Sequence, residues 1–166
     1  MSLRVLGFKT LRFLTLPFVT VTLASACSSG DGSGPRACTT IGCVNGLSVD
    51  FSAPLRERGA YRITLELDGR QVTCEATLPF ASCGADGGCS SSEVILMRSG
   101  CALPAEAHEL TGVQVMSTPA AARIAIERDG NAVAEEELTP SYVQAQPNGE
   151  GCGPTCEQAN ASLDVL

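Results

Sequence analysis

Cysteine is the residue type with the widest range of chemistry in this 166-residue chain. Cysteines can close disulfides, bind zinc or exchange disulfides, and an odd number in an exported protein leaves one without a partner. Nine are present: Cys27, Cys38, Cys43, Cys74, Cys83, Cys89, Cys101, Cys152 and Cys156. Their spacing and their cellular compartment decide which chemistry applies.

The cysteine spacing does not favour a metal site. Structural zinc sites usually repeat pairs of cysteines two to four residues apart. Cys83 and Cys89 lie near each other, as do Cys152 and Cys156, but they do not form such a repeat. Asp86 supplies a single carboxylate to the loop after Cys83, whereas calcium takes about six to eight oxygen ligands. We predict no metal and no cofactor.

We expect eight of the cysteines to form disulfides, and eight cysteines can pair in 105 different ways. The segment Cys152-Gly153-Pro154-Thr155-Cys156 resembles the thioredoxin redox motif with one residue inserted. The redox motif needs a two-residue spacing at the start of a helix, whereas this segment lies in a Pro/Gly-rich tail. We therefore predict local structural disulfides Cys152–Cys156 and Cys38–Cys43 and leave the other four cysteines unassigned. A thiol–disulfide oxidoreductase using Cys152 and Cys156 is the lesser alternative.

The sequence contains few residues suited to acid–base catalysis near neutral pH. The chain has one histidine, His108, in the polar context Glu106-Ala107-His108-Glu109. A lone histidine in such a context is more typical of an exposed residue than of a catalytic base. No Gly-x-Ser-x-Gly, Walker or Rossmann fingerprint occurs. We predict that the protein is not an enzyme and has no catalytic residues.

The N-terminus has the order of a secretory signal. Three basic residues among the first 12, an apolar stretch over residues 13–23 and the small residues Ala24-Ser25-Ala26 precede Cys27. The apolar stretch is shorter than the about 20 residues of a membrane-spanning helix. We predict that residues 1–26 are a cleaved signal peptide.

The end of the signal resembles the lipobox of bacterial lipoproteins, in the sequence Leu23-Ala24-Ser25-Ala26-Cys27. The resemblance implies that Cys27 becomes the acylated amino terminus, which would use the odd cysteine and leave eight for four disulfides. Ser28 after the cysteine favours the outer membrane. An ordinary secreted protein, with Cys27 free or paired between chains, is the alternative.

The composition of the mature chain indicates its division into a linker and a domain, and also its net charge. Residues 27–37 contain a Gly/Ser-rich run typical of a flexible linker, and residues 38–166 are long enough for a single domain with a Pro/Gly-rich tail. After Cys27 the chain has 18 acidic residues against 8 basic ones, a net charge of −10. This sign excludes a nucleic-acid-binding surface.

Period-two alternation predicts about seven short strands, at residues 47–51, 61–67, 72–78, 93–97, 113–115, 123–128 and 131–139. Asp68-Gly69 and Asp129-Gly130 predict hairpin turns, because type I′ turns need positive φ at both central residues. The two hairpins are either copies of one module or parts of one sandwich. Residues 104–110 predict at most one or two helical turns.

These features predict an all-β, disulfide-stapled antiparallel β-sandwich. The pattern resembles the immunoglobulin-like and fibronectin-type domains of bacterial surface proteins, which implies a fold but no specific activity. The expected function is a non-catalytic binding or display module, anchored to the membrane by lipid on Cys27, with a protein or glycan partner. A structural component of envelope assembly is the alternative.

Overall fold

Alternating apolar and polar residues form the inner and outer faces of two β-sheets in the computed structural model, which describes residues 37–82 and 88–165. The predicted signal, Cys27, linker residues 28–36 and Cys83 lie outside these ranges. The described residues form nine strands: β1 (Gly46–Leu55), β2 (Gly59–Leu67), β3 (Arg70–Leu78), β4 (Val94–Ser99), β5 (Glu109–Val115), β6 (Ala122–Arg128), β7 (Asn131–Leu138), β8 (Val143–Ala145) and β9 (Cys156–Leu163).

The strand order confirms the predicted immunoglobulin-like sandwich. One sheet has the order β4-β5-β1-β9-β8, and the other has the order β3-β2-β6-β7. Immunoglobulin domains place strands B, E and D in one sheet and strands C, F and G, with C′ in the variable type, in the other. Strands β1 to β7 follow this plan as B, C, C′, D, E, F and G. The seven predicted strands correspond to β1–β7, and the structure adds β8 and β9.

The C-terminal strand β9 takes the position beside strand B that strand A has in an immunoglobulin domain. It runs parallel to β1, with Gly46 opposite Gln158 and Phe51 opposite Leu163. Strand β8 pairs antiparallel with its other side. The parallel pairing brings the segment before β1 alongside the start of β9.

Both predicted Asp-Gly hairpins are confirmed. Asp68 and Gly69 have φ of 49° and 80°, and Asp129 and Gly130 have φ of 50° and 79°. Strands β2 and β6, one from each hairpin, are antiparallel neighbours in the four-stranded sheet. The two hairpins are therefore parts of one sheet.

Each hairpin aspartate also joins β2 to β6. The Asp129 N–H donates to the Ala60 carbonyl at 2.8 Å, and the Ala60 N–H donates back to Asp129 Oδ1 at 2.9 Å. At the other end of the same strand pair, the Asp68 N–H donates to the Ala121 carbonyl at 3.1 Å, and the Ala121 N–H donates to Asp68 Oδ1 at 2.9 Å. The two hairpins are thus related by an approximate two-fold axis between β2 and β6.

The core lies between the sheets and is aliphatic. The inward-facing residues of β1, β2, β5 and β6 are buried, and Val49, Ile63, Val113 and Ile124 among them have no exposed surface. Cys74 is fully buried, which confirms its predicted inward position in the first hairpin. Among the described residues, no polar or charged side chain is fully buried.

The register of β7, which sequence alone leaves open, places Glu136 on the core side. Glu136 lies opposite Ile124, and Leu138 lies opposite Ala122, while Glu135 and Glu137 face outward. Glu136 is half-buried at the margin of the sandwich because β7 is an edge strand. An inward-pointing charge on an edge strand discourages pairing with another chain.

Strand directions define two ends of the sandwich. The N-terminal end is where β1 and β9 begin, and it contains residues 37–45, 68–69, 116–121, 139–143 and 146–155. The far end is where β1 and β9 finish, and it contains residues 56–58, 100–108 and 129–130. The predicted helical segment at the far end has one 3₁₀ turn, Ala105–Ala107, before β5 begins.

Candidate binding surfaces

The cysteines near the beginning of the described chain pair with those near its end, so both predicted local disulfides are wrong. Cys38 is bonded to Cys152 and Cys43 to Cys156, with sequence separations of 114 and 113 residues. The parallel β1–β9 pairing brings these distant segments together, and no local sequence signal indicates that pairing. The local Cys152–Cys156 disulfide on which an oxidoreductase would depend is absent, because each of these cysteines has a different partner.

The third disulfide closes one edge of the four-stranded sheet. Cys74 of β3 is bonded to Cys89, and residues 88–90 run beside β3 in an isolated antiparallel β-bridge. The Glu75 N–H donates to the Gly88 carbonyl at 2.7 Å, and the Ser90 N–H donates to the Thr73 carbonyl at 2.8 Å. Cys101 is also disulfide-bonded. Cysteines therefore serve here as structural cross-links that cover edges and join chain ends.

The single histidine belongs to a packed stack rather than to the exposed surface that we predicted. The His108 ring stacks on Phe80 with centroids 5.4 Å apart, and the guanidinium carbon of Arg98 lies 5.1 Å from the Phe80 centroid. His108 Nδ1 is buried and has no hydrogen-bond partner among the described residues. His108 is the last residue of the loop between β4 and β5, and its ring is half-buried, with Phe80 against one face.

The outer face of the four-stranded sheet is acidic. The two arginines of this face, Arg62 and Arg123, form ion pairs with Glu75 and Glu135, the former at 3.3 Å. Three more carboxylates lie in the same cross-strand rows, on Glu66, Glu127 and Glu137. Two shallow cavities of about 530 and 470 Å³ lie on this face. The five carboxylates outnumber the two guanidinium groups, so the face has a net negative charge.

The outer face of the five-stranded sheet is almost uncharged. One row of cross-strand neighbours consists of Ile95, Gln114, Ser48 and Asn160. The next row consists of Met97, Gly112, Asp50 and Ser162. Asp50 is the one charged side chain in these two rows.

The far end is charged and cross-linked by ion pairs. Arg56 lies 2.6 Å from Glu109, Arg58 lies 3.3 Å from Glu106, and Arg128 pairs with Glu57. The two arginines of the 56–58 loop remain largely exposed, with side-chain exposures of 66% and 70%. Exposed ion pairs contribute little to stability, typically about 0–1 kcal/mol each. Their charged groups remain accessible to a partner.

The two tyrosines fix loops at opposite ends of the sandwich. The Tyr61 hydroxyl donates to the Glu57 carbonyl at 2.8 Å, and the Tyr142 hydroxyl donates to the Pro119 carbonyl at 2.9 Å. Burial, and secondarily the charge of Asp129, raises the pKa of Tyr61. Burial, and secondarily the charge of Asp68, raises the pKa of Tyr142. Both hydroxyls therefore keep their protons, and their donor role, into the alkaline range.

Residues 37–82 and 88–165 contain neither a cluster of metal ligands nor a membrane-spanning helix. No group of three or more His, Cys, Asp or Glu side chains among these residues is arranged to hold a metal ion. Nor do these residues include a helix of the length and hydrophobicity needed to cross a membrane.

Comparisons with known protein families, with curated proteins and with solved structures find no significant match to this chain.

Proposed function

We propose that this protein is a lipoprotein of the bacterial envelope, anchored by a lipid on Cys27, and that its sandwich is a non-catalytic binding or display module. The signal and the lipobox-like sequence ending at Cys27 support the anchor. The outer membrane is the destination that Ser28 favours. A protein or a glycan is the class of partner that such a module would take.

The observation that carries the proposal is the pair of long-range disulfides at the N-terminal end. Cys38–Cys152 and Cys43–Cys156 cross-link the first described segment to the start of the last strand. A chain entering from an anchor at Cys27 would therefore be attached to the folded domain at one defined end. The opposite, far end would be the part of the domain presented away from the attachment point.

The far end also has the chemistry of a presented surface. Its loops carry Arg56, Arg58 and Glu106 with largely exposed charged groups. Charged groups of this kind steer the approach of a partner and contribute to specificity more than to raw affinity. Arg56→Ser combined with Arg58→Ser should reduce co-purification of such a partner, whereas the matched Arg62→Ser on the acidic sheet face should not.

Intact mass spectrometry of the protein purified from its native membrane tests the proposal. The mature chain should begin at Cys27, carry the mass of acyl chains and gain eight alkyl groups only after reduction. A Cys27→Ser variant is the matched control and should lose both the acyl mass and the membrane association. An unacylated chain with a ninth reactive thiol would instead identify a soluble secreted protein and refute the proposal.

A further inference from the structure

Exposed apolar side chains concentrate at the N-terminal end of the sandwich. Large apolar residues that are well exposed in the described chain are Ile41, Val44, Ile95, Leu103, Met116 and Val143. Leu103 lies in the far-end loops, whereas the other five lie at or near the N-terminal end. Ile95 is the second residue of β4 and follows Val94, whose pair with Val115 closes this end of the sheet. Val143 is 65% exposed and Ile41 is 55% exposed.

Most of the loops around these side chains carry no charge, and the exception is Glu150 in the segment 146–155 before β9. The segments 37–45, 116–121 and 139–145 contain no Asp, Glu, Lys or Arg. Nearby, the Asp68 carboxylate accepts the N–H groups of Ala120 and Ala121 at 3.2 and 2.9 Å. Arg70 is neutralised by an ion pair with Glu93. Glu157 adds negative charge beside this end.

The two ends of one small domain therefore differ in polarity. The far end presents the Arg56–Glu109, Arg58–Glu106 and Arg128–Glu57 ion pairs to solvent. The N-terminal end presents aliphatic side chains set among Ser, Thr, Pro and Gly. Several exposed apolar side chains at one end of a domain are a feature of interaction sites with proteins or membranes.

We infer that the N-terminal end docks on a zwitterionic lipid surface and so orients the domain on its membrane. The inference rests on the proposed lipid anchor at Cys27. Ala37 and Cys38 enter the domain at this end, and the Cys38–Cys152 disulfide fixes that point of entry. Nine residues, 28–36, separate the anchor from Ala37, and such a segment spans at most on the order of 30 Å.

The short tether and the negative charge of the chain favour zwitterionic lipid as the occupant. A short tether keeps the apolar end at a high effective concentration beside the headgroups, so weak contacts of a few side chains suffice for docking. Anionic lipid would repel Glu157 and the net charge of −10 that the chain carries after Cys27, which favours a zwitterionic surface. Side chains of interfacial segments typically reach about 5–10 Å into the boundary between headgroups and acyl chains.

Tryptophan fluorescence tests the docking, because the chain has no native Trp. Val143→Trp places a fluorophore at the N-terminal end, and Leu103→Trp is the matched control at the far end, since these side chains are 65% and 60% exposed. Each acylated mature protein is reconstituted in phosphatidylethanolamine–phosphatidylcholine vesicles with lipids brominated near the headgroup. The Val143→Trp protein should shift its emission to the blue and lose roughly half or more of it, and the Leu103→Trp protein should do neither. Adding the substitutions Ile41→Asp and Val44→Asp to the Val143→Trp protein should restore its emission, and that protein should remain bound to the vesicles.

Flotation of the same vesicles separates failure of the docking from failure of the anchor. Protein that floats with both fluorophores unquenched, or with both quenched equally, would overturn the docking and leave the anchor intact. The docking would also be overturned if the emission of the Val143→Trp protein shifted to the blue but was not quenched by the brominated lipid. If the same protein formed a dimer in detergent, a second copy of the chain would be identified as the occupant. Protein that does not float would refute the anchor, and the docking would fall with it.

Discussion

The two disulfides at the N-terminal end should be strongly coupled in their effect on stability. Cys38–Cys152 and Cys43–Cys156 close almost the same loop, with separations of 114 and 113 residues. Whichever of them is present alone removes the entropy of that long loop from the unfolded chain. The second then closes only the short ring between positions 38 and 43 and between 152 and 156, which is about ten residues. Loop-closure entropy grows with the logarithm of loop length, so removing the second pair should cost more than removing the first.

The expected magnitudes follow from the chain-entropy treatment of disulfides. A loop of 114 residues corresponds to about 4.8 kcal/mol at 25 °C, and a ring of about ten residues corresponds to about 2.7 kcal/mol. Replacing either cysteine pair by alanine should therefore lower the free energy of unfolding by about 2.7 kcal/mol. Replacing both pairs should lower it by about 7.5 kcal/mol, which exceeds the sum of the single losses by about 2 kcal/mol.

Urea denaturation of the four proteins, with the remaining disulfides intact, measures this excess. Cys74→Ala with Cys89→Ala is the matched control, because that disulfide closes a separate loop with a separation of 15 residues. Its loss of about 3 kcal/mol should add to the loss from either single pair without coupling. A loss for the double replacement that equals the sum of the two single losses would refute the reasoning. If the doubly substituted protein is unfolded in buffer, adding an osmolyte such as sucrose to all samples brings it into the measurable range.

Three further predictions concern single residues. Ultraviolet titration of the two tyrosines should give midpoints above 10 in the folded protein and near 10 in denaturant, because folding raises the pKa of Tyr61 and of Tyr142. Since the unfolded state loses these protons first, stability should fall as the pH rises above about 10, and Tyr142→Phe should weaken that dependence. Asp68→Ala and Asp129→Ala should each lower the free energy of unfolding by about 1–3 kcal/mol, and by similar amounts because the two turns are related by the approximate two-fold axis; a large difference in urea midpoints would contradict that relation. Glu136→Val should leave the melting temperature unchanged or raised but increase light scattering on concentration, because it removes the inward charge from edge strand β7; Glu135→Val on the outer face is its control.

The parts of the fold that sequence predicts are those specified by local signals. Alternation of apolar residues over 61–67 and 72–78, with Asp68-Gly69 between them, predicts the first hairpin and the inward position of Cys74, and both are confirmed. The second hairpin is recognisable from its Asp129-Gly130 turn. Its returning strand is ambiguous in sequence because Glu136 occupies a core-side position, where an edge strand tolerates a charge that a central strand would not. Alternation indicates the strands, but tertiary position decides the register.

The parts that sequence does not predict depend on contacts between distant segments. Strand β9 has the small residues Ala159 and Ala161 as inward-facing positions, so its period-two signal is weak. Its partner β1 lies more than 100 residues away, and no local feature indicates a parallel pairing at that separation. The incorrect disulfide pairs follow from this omission. Two cysteines four or five residues apart in an irregular segment suggest a local disulfide. That interpretation is wrong here because the parallel β1–β9 pairing brings each cysteine beside a distant partner.

The parallel β1–β9 pairing also connects the architecture with the proposed attachment. In an immunoglobulin domain the position beside strand B is taken by strand A, the first strand of the chain. Here β9 runs parallel to β1, so the segment before β1 and the segment before β9 meet at the same end, where two disulfides join them. A force applied through the N-terminus is then transmitted across Cys38–Cys152 to the last strand, and residues 39–151 form a closed loop that the force does not extend. Strands β1 to β8 lie within this closed loop, so a pull at the point of attachment loads β9 before any of them.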